Sequence, residues 1–145
     1  MSLQEWLKSR WLVEHQTSRQ EISDLLKMAD RDLAQCQTAH LGPDWQLNIA
    51  YNAALQAAMA ALAASGYRAA REAHHYRVIQ SLAYTIKADK NLINRLDKFR
   101  KKRNIGSYER AGAISEQEAK EMIELAKDLR DQVIAWLKKN HPELL

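Results

Sequence analysis

Between Arg95 and Arg103 stand six basic residues, Arg95, Lys98, Arg100, Lys101, Lys102 and Arg103, against one acid, Asp97. A guanidinium is a planar fork that matches two phosphate oxygens and stays charged, so such a run points to phosphate or nucleic-acid chemistry. Spacing separates one member from the rest. At about 3.6 residues per turn, Leu92, Leu96, Phe99 and Arg103 share a helix face, so Arg103 projects on the side that the apolar three bury. Arg100, Lys101 and Lys102 point elsewhere; they read as a solvated face and, with Arg68, as candidate RNA or phosphate contacts. Asn104 follows, and Gly106 loosens the backbone before Tyr108, so Arg103, Asn104 and Tyr108 can converge around one pocket at the helix end. Two readings of Arg103 stay open: a guanidinium held against the bundle as a phosphate site, or one that snorkels into water with its stem on apolar surface.

Other residue types offer less. His74 and His75 are adjacent, and neighbours on a helix face about 100° apart, so at most one reaches a given pocket. They are auxiliary imidazoles or, in the plainer reading, helix-start or surface histidines. His15, His40 and His141 fall in loops or ends and have no carboxylate or His partner at helical spacing of the kind a metal site would show, so no metal is expected. No cofactor is expected either, because no phosphate-binding Gly-rich loop, Gly-x-Ser-x-Gly elbow or Cys/His nucleophile pair occurs. Cys36 is the single cysteine, which excludes an internal disulfide, and its place on an apolar helix face predicts a buried, inert thiol. Trp6, Trp11, Trp45, Tyr51 and Trp136 stand among apolar residues at helical spacing and read as core. Tyr67 and Arg68, beside Gly66, stand at an inter-helix turn where ligand contact is easier.

The elements that must position these residues are helices. A short one is expected over Leu3 to Glu14, followed by Ser18 and Glu21 at the spacing of a capping box. Ile22, Leu25, Leu26, Ala29, Leu33 and Cys36 then form one apolar stripe. Leu41-Gly42-Pro43-Asp44 interrupts it, with Asp44 a candidate N-cap. Trp45 to Ser65, with nine alanines from Ala50 to Ala64, is small or apolar on nearly every side and belongs in the centre of a bundle. Gly66 suits the left-handed residue that ends it. A fourth helix carries Tyr76, Ile79, Leu82, Ala83 and Ile86 on one face, and a fifth runs from about Lys90 to Asn104. Ser115 and Glu118 open the last, striped by Met122, Ala126, Leu129, Val133 and Trp136 and stopped at Asn140-His141-Pro142. No strand pattern competes. The expected fold is all-α, a single domain over residues 1–145 built as an up-and-down antiparallel bundle of five to six helices.

Composition agrees with this. With 46% hydrophobic and 28% charged residues the chain is neither disordered nor fibrous. Its net charge of +4 permits nucleic-acid contact without demanding it, so the local concentration of charge matters more. The start of the chain lacks a secretory pattern and no stretch approaches the roughly 20 apolar residues of a bilayer span, so no membrane contact and a cytoplasmic location are expected.

The run Arg100-Lys101-Lys102-Arg103-Asn104-Ile105-Gly106-Ser107-Tyr108-Glu109 resembles the signature of HEPN domains, an Arg followed by a polar residue and, four to six positions after the Arg, a His. The landmarks Asp44-Trp45, Ala50-Tyr51-Asn52-Ala53-Ala54-Leu55, Gly66-Tyr67-Arg68 and His74-His75, in that order before the Arg-Asn run, are similar to a bacterial HEPN branch with Arg-Asn-x-x-x-Tyr. The resemblance covers roughly residues 20–140. It implies a helical bundle that forms a homodimer with two motif copies across a cleft. It further implies a metal-independent endoribonuclease, as in toxin–antitoxin and phage-defence systems, or an inactive relative that binds RNA, nucleotides or a partner protein. The partners it implies are RNA and a cognate antitoxin or nucleotidyltransferase. Carried over, Arg103 stabilises phosphate, Asn104 orients, and Tyr108 occupies the His position.

Tyr108 departs from the pattern. A phenol with pKa near ~10 is a poor general base at neutral pH, whereas an imidazole near ~6.5 is poised for proton transfer, whose loss forfeits about 10²–10⁴-fold in rate. Three function classes therefore remain at this level: a ribonuclease, a non-enzymatic module that binds partner protein, nucleotide or RNA, and a bundle whose last helix mediates oligomerisation.

Overall fold

The computed structural model describes the backbone of residues 1–108 and 114–145 and the side chains of residues 1–103 and 114–145. Among these residues the chain forms an all-α bundle of six α-helices with one two-stranded ribbon. The helices are α1 (Leu3–Lys8), α2 (Arg19–Gln35), α3 (Pro43–Ala64), α4 (His74–Ser81), α5 (Lys90–Tyr108) and α6 (Glu116–Asn140). A 3₁₀ turn over Pro142–Leu144 closes the chain.

Helix α3 is the axis. Its alanines let neighbours approach from every side, and α6 and α2 pack most heavily on it while α4 and α5 pack on its remaining surface. By length and composition α3 could cross a membrane, but 61% of its most apolar window is buried inside the bundle, as a core helix requires. Gly42 rather than Asp44 is its N-cap, because Pro43 takes the first helical position, where its fixed φ fits and its missing N–H costs nothing. Gly66 adopts φ +96 just past its C-cap, the left-handed stop that the sequence predicts.

Two ends differ from expectation. The first helix stops at Lys8, not Glu14; Arg10 turns left-handed at φ 64, and Leu12–Glu14 becomes strand β1. It pairs antiparallel with β2 (Tyr67–Ala69), Val13 opposite Arg68, and His15 N–H donates to Gly66 O at 2.9 Å. The ribbon thus ties the N-terminal segment to the α3–α4 connection. Likewise α4 ends at Ser81, whose hydroxyl donates to Val78 O at 2.6 Å in the last turn. Of its predicted apolar face Ile79 and Leu82 are buried, whereas Tyr76 is exposed.

The caps follow one rule with two outcomes. Ser115 and Glu118 close a full capping box on α6. At α2, Ser18 Oγ accepts from Glu21 N–H at 3.1 Å, but the Glu21 carboxylate turns away to accept from Thr17 and to meet His15, so the predicted box is only half formed. Cys36 is fully buried, and burial pushes its thiol pKa up.

Candidate functional site

The stripe of α5 sends Leu92, Leu96 and Phe99 into the core, and one turn further on the same face brings Arg103 to the side of α3. There its guanidinium carbon lies 5.0 Å above the centre of the Tyr51 ring. Such a cation–π contact is worth about 0.5–2 kcal/mol. Among the described residues no carboxylate pairs with Arg103.

Its neighbours in the basic run are otherwise occupied. Arg100 Nε donates to Asp97 Oδ1 at 2.8 Å while its guanidinium lies 5.4 Å over the Tyr76 ring. Lys101 pairs with the other Asp97 oxygen at 3.4 Å, and Lys102 pairs with Glu118 at the start of α6. Two carboxylates shared among three cations leave one positive charge over, so these three are weaker phosphate ligands than their number suggests, and Arg103 is the ring-stacked member of the run with no carboxylate partner among the described residues.

Helix α4 contributes the third member. Tyr51 Oη and His75 Nδ1 are 3.3 Å apart in a hydrogen bond whose donor depends on the imidazole tautomer, and the two rings lie 5.9 Å apart. The ring of Tyr51 is buried, and burial pushes its phenol up to about 12 against the pull of Arg103 and Arg100, so it stays protonated. On His75 burial acts in the opposite sense, and the neighbouring positive charges act in the same one. Burial, then the positive charges of Arg103, His74 and Arg100, lower its pKa, which keeps the imidazole neutral and able to accept a proton. Ala73, immediately before the two histidines, is the N-cap of α4 at φ 51, a left-handed conformation that costs an L-residue about 1–2 kcal/mol. Strain held next to titratable side chains is a mark of functional segments.

Of the predicted site residues, Arg103 and His75 meet through Tyr51. The side chains of Asn104 and Tyr108 lie outside the described residues; the backbone there is helical through Gly106 to Tyr108, so Gly106 does not end the helix. Arg68 and His74 line a different cavity, shared with His15 and Glu21. Tyr51 had been expected only as core, yet a buried phenol in an alanine-rich helix needs a polar partner, and that need was the available signal. Trp45, also expected in the core, is 65% exposed at the start of α3. His15 has a carboxylate partner after all, Glu21 at i+6, reached because the chain turns into α2 at Ser18. Among the described residues, no three of His, Cys, Asp and Glu gather as metal ligands would.

Compared with known proteins, the chain matches no family model, no curated protein and no solved structure.

Proposed function

We propose that this chain is a HEPN-like, RNA-associated protein whose Arg103–Tyr51–His75 cluster binds an RNA phosphodiester and cleaves it without a metal ion. The observation that carries this reading is a half-buried guanidinium, stacked on Tyr51 and unpaired with any described carboxylate, beside an imidazole held neutral. A phosphate supplies what Arg103 lacks, since each hydrogen bond to a charged group is worth about 1.5–3 kcal/mol, at least as much as the stacking that positions the fork.

His75 takes over the role for which Tyr108 is poorly suited. With Nδ1–H donating to Tyr51 Oη, Nε2 carries the free lone pair. It accepts the ribose 2′-hydroxyl proton as the 2′-oxygen attacks phosphorus; the bond to the next nucleotide's 5′-oxygen breaks, that oxygen takes a proton from water, and the hydroxide so formed recovers the proton from His75. The products are a 2′,3′-cyclic phosphate and a 5′-hydroxyl. Arg103 holds the non-bridging oxygens, where charge develops in the transition state. The same reading carries a homodimer with two such clusters across a cleft, and a cognate antitoxin or nucleotidyltransferase as partner.

Binding without cleavage is the second reading, favoured by Tyr108 at the motif His position. Purified wild type and Arg103→Ala incubated in EDTA with total RNA and tRNA separate the two. Fragments ending in cyclic phosphate from wild type alone support cleavage. Intact RNA, bound with a steep salt dependence that Arg103→Ala weakens, supports the module. Equal behaviour of both proteins in cleavage and binding contradicts both.

A further inference from the structure

A cavity of about 260 Å³, open to solvent, lies between α2, α3, β2 and the start of α4, with His74 but not His75 in its lining. Leu25, Met59 and Leu62 give it an apolar floor. Its rim is polar: His15 and Glu21 from the entry to α2, Arg68 from β2, and His74 from α4. The volume is near the lower end of small-molecule sites and suits one ring system rather than a drug-sized ligand.

The hydrogen bonding of Glu21 is lopsided. His15 Nε2 at 2.7 Å and Thr17 Oγ1 at 2.6 Å both meet Oε1. Oε2 has no partner among the described residues and keeps two acceptor positions. The Thr17 hydrogen bond, then that of His15, holds the carboxyl below its ordinary pKa against the effect of burial, so it is ionised near neutrality. Arg68 contributes to that lowering through space without forming an ion pair with Glu21 among the described residues. An anionic acceptor and a guanidinium fork therefore stand apart on one cavity rim instead of neutralising each other.

We propose that this cavity receives a guanine base, with Glu21 Oε2 accepting from the N1–H and N2–H₂ donors and Arg68 donating to O6 and N7. Guanine is the base that presents two adjacent donors on one edge and two adjacent acceptors on another, and a bidentate Arg on O6 and N7 is the commonest contact by which proteins read it. Adenine sets its N6 amino group where Arg68 expects an acceptor. The inference rests on the RNA reading of the Arg103 cluster and deepens it: His74 and His75, whose rings are 6.0 Å apart, place the base cavity and the phosphate cluster on adjoining sides of one helix turn. A guanosine nucleotide next to the bound phosphodiester would then be the preferred one.

The full chain titrated with guanosine and with adenosine, followed by NMR, tests this, because nucleosides carry no phosphate and do not need Arg103. Guanosine is expected to bind at least about tenfold more tightly than adenosine, in line with one bidentate pair, and equally well to Arg103→Ala. Glu21→Gln removes the anionic acceptor and is expected to erase the preference. Arg68→Ala, at an exposed position, is expected to weaken guanosine about tenfold with the fold intact. Equal binding of the two nucleosides, binding of neither, or a preference that survives both substitutions overturns the proposal. If RNA binding depends on Arg103 while guanosine is not preferred, only the cavity assignment falls; if guanosine is preferred while Arg103→Ala handles RNA like wild type, only the phosphate reading falls.

Discussion

His74 and His75 are consecutive residues of one type in one helix turn, and their surroundings differ in kind. His75 faces a protonated phenol and two guanidiniums, Tyr51, Arg103 and Arg100, a set that repels a proton and attracts an anion. His74 lines a cavity whose rim holds a carboxylate as well as a guanidinium, Glu21 and Arg68, a set suited to a neutral ligand with both donors and acceptors. The roughly 100° between successive helix residues suffices to serve both, so α4 divides two chemistries with one dipeptide.

Substitutions on the two sides of α4 should therefore have separable effects. The largest effect is expected from His75→Gln, which keeps a polar side chain but no base: RNA cleavage in EDTA should fall about 10²–10⁴-fold, while guanosine binding at the His74 side persists. Arg103→Ala should follow, with a loss of about 10²–10³-fold in cleavage from the missing charge stabilisation, and a shallower salt dependence of RNA binding. Tyr51→Phe retains the ring under Arg103 but not the hydroxyl that orients His75, so a loss of about tenfold in rate is expected, with stability by denaturant titration lowered by about 1 kcal/mol. Glu21→Gln is expected to leave the cleavage rate of a substrate without guanosine within about twofold of wild type and to reduce stability by about 1 kcal/mol through weaker bonds to Thr17 and His15. A large loss of rate there would merge the two sides into one site.

The lowered pKa of His75 adds a pH dependence. The unfolded chain binds this proton below the ordinary histidine value of about 6.5, and the folded chain binds it only at lower pH. Stability is therefore fully present above about pH 6.5 and declines as pH falls toward the folded value. His75→Gln should flatten that part of a stability–pH curve. For the same reason the acid limb of the cleavage profile should lie below about 6.5.

Much of the bundle was legible because its signals are local. The stripe of α2, the alanine content of α3, the Gly66 stop and the Ser115–Glu118 box each depend on residues within a few positions, and all four stand where expected. Strand β1 was not legible, since three residues are too few for an alternating pattern and its partner lies beyond α3. The site divides similarly. Arg103 could be found from the α5 face alone, whereas Tyr51 and His75, 24 positions apart from each other, join it only through packing, and Lys102 finds Glu118 across 16. Glu21 shows how tertiary context overrides a local rule: its spacing from Ser18 matches that of Glu118 from Ser115, but His15 and Thr17 claim the carboxylate.

Whether Arg103 and His75 form one anion site can be read from the His75 imidazole, followed by NMR through a pH titration. Wild type and Arg103→Ala would be compared, each with and without a short RNA made uncleavable by 2′-deoxy substitution. His75 is expected to titrate below the ordinary histidine range in wild type, to shift upward when Arg103 is removed, and to shift upward in wild type when the RNA phosphate binds. A His75 titration indifferent to both Arg103 and the RNA would contradict a shared site.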